Sequence, residues 1–137
     1  MKNLLFILAF MIGLSFTASA QTDLLSQYSK TIDTVTNTGT KYLTIPTPYN
    51  VSYKTWEVAV SYTKISGTVG GTATVEYSID GSNFYSLKRD SVYTATDVAG
   101  QTLGWRIVDP GAKYIRVKAT GTGTMSAQIK AKVYGRQ

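Results

Sequence analysis

The stretch Thr74-Val-Glu-Tyr-Ser-Ile-Asp-Gly-Ser-Asn-Phe-Tyr-Ser-Leu87 carries the clearest local pattern in the chain. From Val75 to Ile79 apolar and polar residues alternate, and this period of two is typical of a strand with one apolar face. Asp80-Gly81-Ser82-Asn83 then supplies four turn-forming residues. Gly81 can adopt a positive φ, and Asp and Asn side chains can bond their own backbone. Because the chain returns through Phe84, the stretch predicts a β-hairpin.

The same alternation recurs along the chain between turn signals, and no convincing helical pattern follows residue 20. About eight short strands at spacings of roughly 8–12 residues predict an all-β protein with one antiparallel β-sandwich. Jelly-roll and immunoglobulin-like topologies both remain open. The core is predicted on the apolar faces of the strands that carry Trp56, Val75, Trp105, Ile115 and Ile129. Besides the Thr74–Leu87 hairpin, the strand candidates are Thr31–Thr36, Lys41–Ile45, Thr55–Lys64, Ser91–Thr96, Thr102–Val108, Lys113–Thr120 and Met125–Tyr134.

The first twenty residues have the organisation of a cleavable signal peptide. Lys2 precedes an apolar run from Leu4 to Phe16, and Ala18-Ser19-Ala20 is a small-x-small cleavage site. Cleavage would place the mature start at Gln21, and no second apolar segment predicts stable insertion in a membrane. An uncleaved N-terminal anchor is the alternative. The protein is therefore expected to be exported to the periplasm, the cell surface or the medium.

Three segments follow from this organisation: a signal peptide at 1–20, an N-terminal lead-in with a first weak strand at 21–40, and the β-sandwich domain at 41–137. Removing 20 of the 137 residues leaves 117, which is enough for one domain with a real core. Without Lys2, thirteen basic residues stand against eight acidic ones, a net charge of +5. This modest and scattered excess in an exported protein argues against nucleic acid as a partner.

Several catalytic and metal-binding chemistries lack their residues. The chain has neither cysteine nor histidine, so it has no disulfide, no soft or imidazole metal ligand and no base for a Ser-His or Cys-His site. Paired carboxylates could still support a small hydrolase, but Glu57 and Glu76 fall on outward strand positions. The oxygen-rich turn at Asp80 could bind Ca²⁺, yet its turn role already explains it. The sequence thus predicts no enzyme, no cofactor and no metal site.

Aromatic and basic residues near the C-terminus form the candidate binding surface. If the strands Lys113–Thr120 and Met125–Tyr134 pair as a hairpin, their outward positions create a basic aromatic patch that could meet an acidic glycan or a protein. An ordinary solvated face, with lysines that oppose edge aggregation, is the alternative. The phases of Trp56 and Trp105 favour core packing instead. The patch consists of Tyr114, Arg116, Lys118, Lys130, Lys132 and Tyr134.

Four motifs together resemble a recurrent β-sandwich module: Trp56-Glu57-Val58, Gly71–Leu87, Gly104-Trp105 and Tyr114–Thr124. Similar modules occur in bacteriophage virion proteins, such as decoration, head-fibre and tail-associated parts, and in bacterial secreted surface proteins. The resemblance covers roughly residues 55–134. It implies a non-enzymatic structural or adhesive role and carries no catalytic residues.

The expected function is therefore that of an exported structural or adhesive β-sandwich module of the virion-surface or cell-surface type. The alternative is a carbohydrate-binding domain that uses exposed tyrosines. The expected partner is a protein or glycan surface, and a homo-oligomer is left open. If the gene is phage-borne, the protein is expected on the virion.

Overall fold

Ten β-strands and no helix make up the regular secondary structure of the part of the chain that the computed structural model describes, residues 26–29, 32–46, 54–87, 92–108 and 111–136. The predicted signal peptide lies outside these residues. The strands are β1 (Ser26–Ser29), β2 (Asp33–Thr36), β3 (Thr40–Pro46), β4 (Thr55–Ser66), β5 (Gly71–Ser78), β6 (Tyr85–Ser86), β7 (Val92–Ala95), β8 (Gly100–Val108), β9 (Tyr114–Gly121) and β10 (Ser126–Arg136).

The strands form two antiparallel sheets. Sheet A has the order β1-β10-β4-β8, and β2 also pairs with β10. Sheet B has the order β3-β9-β5-β6, and β7 also pairs with β5. The short strands β1 and β2 line up end to end against one edge of β10, and β6 and β7 do the same against β5. Each sheet is therefore four strand positions wide, which agrees with the eight strands expected from the sequence.

The connections identify a jelly roll. Consecutive strands lie in opposite sheets, with the exceptions of the two split edges and the β5–β6 hairpin. A chain rolled in this way makes two four-stranded sheets packed face to face. The predicted hairpin at Thr74–Leu87 is confirmed, because Glu76 pairs with Ser86 and Tyr77 with Tyr85. The topology that the sequence left open is thus a jelly roll and not an immunoglobulin-like sandwich.

The second predicted hairpin, between β9 and β10, is wrong. The strand β9 is a central strand of sheet B, whereas β10 is a central strand of sheet A. The turn after Gly121 carries the chain across the sandwich, where the Asn37 amide donates to the Met125 carbonyl oxygen at 2.7 Å and the Gly121 amide to Gly39 at 3.0 Å. These bonds join the turn to the β2–β3 turn, so the two turns close one end of the sandwich together.

The core lies between the sheets and follows the predicted alternation. Along β4 the side chains of Trp56, Val58, Val60 and Tyr62 are buried, and their neighbours face outward. The aromatic ring of Trp105 in β8 is buried as well, so the core-packing interpretation of both tryptophans is confirmed. All five strands that were predicted to supply the core do so, which places the polar face of each on the outside of the sandwich.

The alternation fails in the second half of β5. Ile79, which the pattern places with the core residue Val75, is 60% exposed, whereas Glu76 and Ser78 are buried on the outer face. The loop from Ile79 to Phe84 folds back over that face and covers both polar side chains. One end of sheet B is therefore capped by the hairpin's own loop.

The edge strands β1 and β2 are integral to sheet A, so the sandwich includes residues before Lys41, where sequence analysis placed its start. Asp33 of β2 forms an ion pair with Lys41 of β3 at 3.3 Å, which ties the two sheets at this edge. Among the residues that the structure describes, no helix has the length and apolarity of a membrane crossing.

Candidate binding surfaces

The six residues of the predicted patch lie on two opposite faces of the sandwich. Tyr114, Arg116 and Lys118 project from β9 on the outer face of sheet B, and Lys130, Lys132 and Tyr134 project from β10 on the outer face of sheet A. A single patch is excluded because β9 and β10 do not pair. The binding role of each half stays a prediction.

On sheet B the charged groups bind each other. Arg116 lies directly across from Glu76 in the register, and its Nε donates to Glu76 Oε2 at 2.5 Å. The guanidinium carbon is 3.7 Å from the ring centroid of Phe84 and 4.4 Å from that of Tyr42. An arginine held over aromatic rings is stabilised by cation–π attraction. The predicted binding residue Arg116 is therefore engaged inside the fold.

The Asp80 loop completes this closed face. The Asp80 carboxylate accepts hydrogen bonds from the Ser78 hydroxyl, the Ser82 amide and both the amide and the side-chain nitrogen of Asn83, at 2.7–2.9 Å. These donors, the Asn83 amide first, hold the pKa of the Asp80 carboxyl far below its usual range. Gly81 has a φ of +80°, and a Cβ there would lie 3.0 Å from the Tyr114 ring.

The turn interpretation of Asp80–Asn83 is thus confirmed. The carboxylate oxygens are occupied by protein donors, which leaves the turn no open set of oxygen ligands. Within the described ranges no group of three or more acidic, histidine or cysteine side chains is placed to hold a metal ion.

The outer face of sheet A is built differently. The register aligns Tyr134 of β10, Glu57 of β4 and Arg106 of β8 in one row, and the next row consists of Lys132, Ala59 and Gly104. Because Ala59 and Gly104 have almost no side chain, they leave a depression of about 350 Å³ beside the larger residues of the first row. The backbone at Val58 and Trp105 also lines it, since both of these side chains are buried in the core.

The charged groups near this depression form no ion pairs with other described side chains. Glu57 and Arg106 face each other across two strands, yet among the described residues neither forms an ion pair or a side-chain hydrogen bond. Lys130 and Lys132 add two positive charges to the same face. Arg106, Glu57 and Tyr134 therefore line a floor of small residues, while Lys132 lies in the row of that floor and Lys130 two residues further along β10.

Sequence reasoning found half of this surface and missed the other half. Lys132 and Tyr134 were predicted, and Glu57 was considered only as a catalytic or solvated carboxylate. Arg106 and Ala59 were not singled out, and Gly104 entered only as part of the Gly104-Trp105 motif, because their place in a site depends on the lateral alignment of β4 with β8. The available signal was the pair of small residues at outward positions of two strong strands, and it becomes informative only once the pairing is known.

No protein-family model matches the chain, and no curated protein matches it in sequence. Solved structures do match. The vertex protein P5 of PRD1 superposes with a TM-score of 0.56 and 9% identity over 81% of this chain and 96% of that chain. The enzymatically active domain of tailspike protein 4 from bacteriophage CBA120 gives a TM-score of 0.50 and 11% identity over 82% of this chain but only 19% of that chain.

At these identities the likeness shows the fold alone. Both matches are phage structures, and the resemblance to β-sandwich modules that the sequence indicated is confirmed at the level of the fold. The superposition with the PRD1 protein covers almost all of that chain, so the two share the fold over its full length.

Proposed function

We propose that this protein is an exported, non-enzymatic jelly-roll module that attaches to a partner surface, in a structural or adhesive role on a virion or a cell. The observation that carries the proposal is the outer face of sheet A. There Tyr134, Arg106 and Glu57 line a depression, Lys130 and Lys132 lie on the same face, and neither Glu57 nor Arg106 forms a bond with another described side chain.

The distribution of carboxylates supports a non-enzymatic role. Hydrolysis of a glycosidic bond generally uses two carboxyl groups that flank the bond that breaks. The depression on sheet A is lined by one, Glu57. Four other described carboxylates are bound by protein donors, and these are Asp33 to Lys41, Glu76 to Arg116, Asp80 within its turn, and Asp97 to Lys64. The missing histidine and cysteine remove the other common bases and nucleophiles.

The two outer faces are not equally suited to attachment. On sheet B the loop over Glu76 and Ser78 covers one end, and the aromatic residues there hold Arg116. On sheet A the outward side chains form rows that run across neighbouring strands, and no described loop covers the depression. Charged side chains that the fold leaves unpaired favour interaction with a partner of opposite charge. We therefore place the attachment surface on sheet A.

Co-purification tests this function. The mature chain is expressed in its native context, and purified particles or envelopes are compared with cleared supernatant by mass spectrometry. We expect the protein in the particle or envelope fraction. Lys132→Glu should move it toward the supernatant, whereas Lys118→Glu, a matched half-buried lysine on the opposite face, should not. Recovery only as a free soluble monomer would overturn the proposal, and equal loss with both variants would overturn the choice of face.

A further inference from the structure

We infer that the depression on sheet A is a saccharide-binding subsite, and that it seats one sugar ring of an anionic glycan. This inference rests on the proposed function, because it names the chemical class of the partner that the outer face of sheet A would meet. It is carried by the shape of the depression, by the hydrogen-bonding groups at its side and by the charge of the surrounding face.

The shape follows from the register of three strands. Ala59 of β4 and Gly104 of β8 are directly paired. Because neither has a long side chain, the outer surface is recessed at this pair across both strands. Tyr134, Glu57 and Arg106 form the wall on one side, and Lys132 continues the second row beside Ala59. The volume of about 350 Å³ lies at the lower end of the range for small-molecule sites, roughly 300–1,000 Å³. A ligand the size of one sugar ring fits this depression better than the broad surface of a protein partner does.

The wall presents the groups that a sugar requires. A tyrosine ring offers an apolar face with a polar tip, which suits the C–H face of a sugar and its hydroxyl edge. A carboxylate only accepts hydrogen bonds, and a guanidinium only donates them. A hydroxyl does both, so neighbouring hydroxyls on one ring can bond Glu57 and Arg106 together. Because these two side chains are not paired with each other, binding need not break an existing ion pair.

The surrounding charge selects the glycan class. Lys132 lies beside the floor, Lys130 one row further along the same strand, and Arg106 in the wall, against the single carboxylate of Glu57. A carboxylate or sulfate on the glycan would be attracted to the lysine side of the depression, while Glu57 disfavours an anion on its own side. Glutamate and lysine are depleted at protein–protein interfaces, so Glu57 in the wall and Lys132 beside the floor favour a glycan over a protein.

Two glycines of β8 provide a matched test. Gly104 forms the floor, and Gly100 lies on the same face four residues away, opposite Thr63 and outside the depression. A Cβ at either position would meet only a backbone oxygen at 3.7 Å, and neither glycine has a positive φ. Valine at both sites is compatible with a strand. Gly104→Val therefore fills the depression, and Gly100→Val changes the same strand without filling it.

The experiment uses the mature protein on an array of neutral, uronic-acid, sialylated and sulfated oligosaccharides, with melting temperatures measured for every variant. We expect binding to anionic members that weakens with added salt. Gly104→Val should reduce it at least tenfold at an unchanged or higher melting temperature, and Gly100→Val should leave it within twofold. Tyr134→Ala should also reduce binding, whereas Lys132→Gln should reduce the preference for anionic over neutral members.

The outcomes separate the two proposals. The saccharide subsite is overturned if the protein binds no oligosaccharide on the array, or if Gly104→Val and Gly100→Val reduce binding equally. If the protein still co-purifies with particles or envelopes in that case, its partner is a protein and the proposed function stands. Glycan binding by a protein that is found only free in the supernatant supports the subsite and overturns the structural or adhesive role.

Discussion

The sandwich carries two glutamate–arginine pairs on its two outer faces, and they behave in opposite ways. Glu76 and Arg116 face each other across β5 and β9, and Glu57 and Arg106 face each other across β4 and β8. The first pair is joined at 2.5 Å and enclosed, whereas the second forms no ion pair among the described side chains. The same two residue types in the same cross-strand relation therefore have different roles.

Their neighbours explain the difference. Arg116 is held between the rings of Phe84 and Tyr42, one from the hairpin loop and one from the neighbouring strand. Arg106 lies beside Gly104 and Ala59, which have no aromatic or charged group that could bind its guanidinium. A charged pair that is covered by aromatic rings stabilises the fold, whereas one that is flanked by small residues leaves its hydrogen-bond donors and acceptors without a described partner. The predictions below test this contrast.

Removing the two arginines should give the largest difference. Arg116→Gln leaves the buried carboxylate of Glu76 without its cation, and we expect it to cost about 2–4 kcal/mol of unfolding free energy. Arg106→Gln removes an exposed group without a described partner and should cost less than about 0.5 kcal/mol. Urea denaturation of both variants measures the contrast. Equal losses would contradict the assignment of a structural role to one pair only.

Substituting one glycine on each face should give the next largest difference. Gly81→Val forces a β-branched residue to a φ of +80° and brings its Cβ to 3.0 Å from the Tyr114 ring, so we expect a loss of about 1 kcal/mol or more. Gly104→Val meets neither obstacle and should leave thermal stability unchanged or raise it. Unaltered melting of Gly81→Val would show that the loop does not pack on sheet B as described.

The smallest effect is expected from Asp80, which is exposed to water, and it should depend on pH. The pKa of its carboxyl is lowered in the folded state, so its stabilising contribution is present above the unfolded pKa of roughly 3.9 and is lost as the pH falls below that value. Wild type should therefore exceed Asp80→Asn in stability at pH 7, and the difference should narrow as the pH falls from about 4 toward 2. Thermal melts across this range provide the measurement, with Glu57→Gln as the control on the open face. A gap that stays constant with pH would contradict the bonded carboxylate.

The sequence predicted most of the sandwich because burial between two sheets imposes a strict period of two. Val58, Val60, Ile115 and Ile129 all point inward as their pattern requires. Where a polar residue is covered from outside, the pattern has no signal: Glu76 and Ser78 alternate like solvated residues, yet the Asp80 loop buries them. Their burial depends on the fold-back of a loop, and no local rule encodes it.

The candidate site was harder to predict because it depends on which strands are neighbours. Alternation along β9 and β10 is the same whether they pair as a hairpin or cross between sheets, and glycines around Thr122 permit either turn. The wrong pairing joined Tyr114 to Tyr134, which lie on opposite faces. The correct one joins Tyr134 to Arg106 through Glu57, a row assembled from three segments distant in sequence.

The positions of β9 and β10 at the centres of their sheets also set the order in which the molecule can fold. Before residues 114–136 are available, the chain can form only the β4–β8 pair and the short ladders on β5. Isolated two-stranded pieces are marginal in water, and the closing contacts between β10 and β1 span about a hundred residues, so they form slowly. Neither of the two described sheets can therefore be completed until residues 114–136 are available.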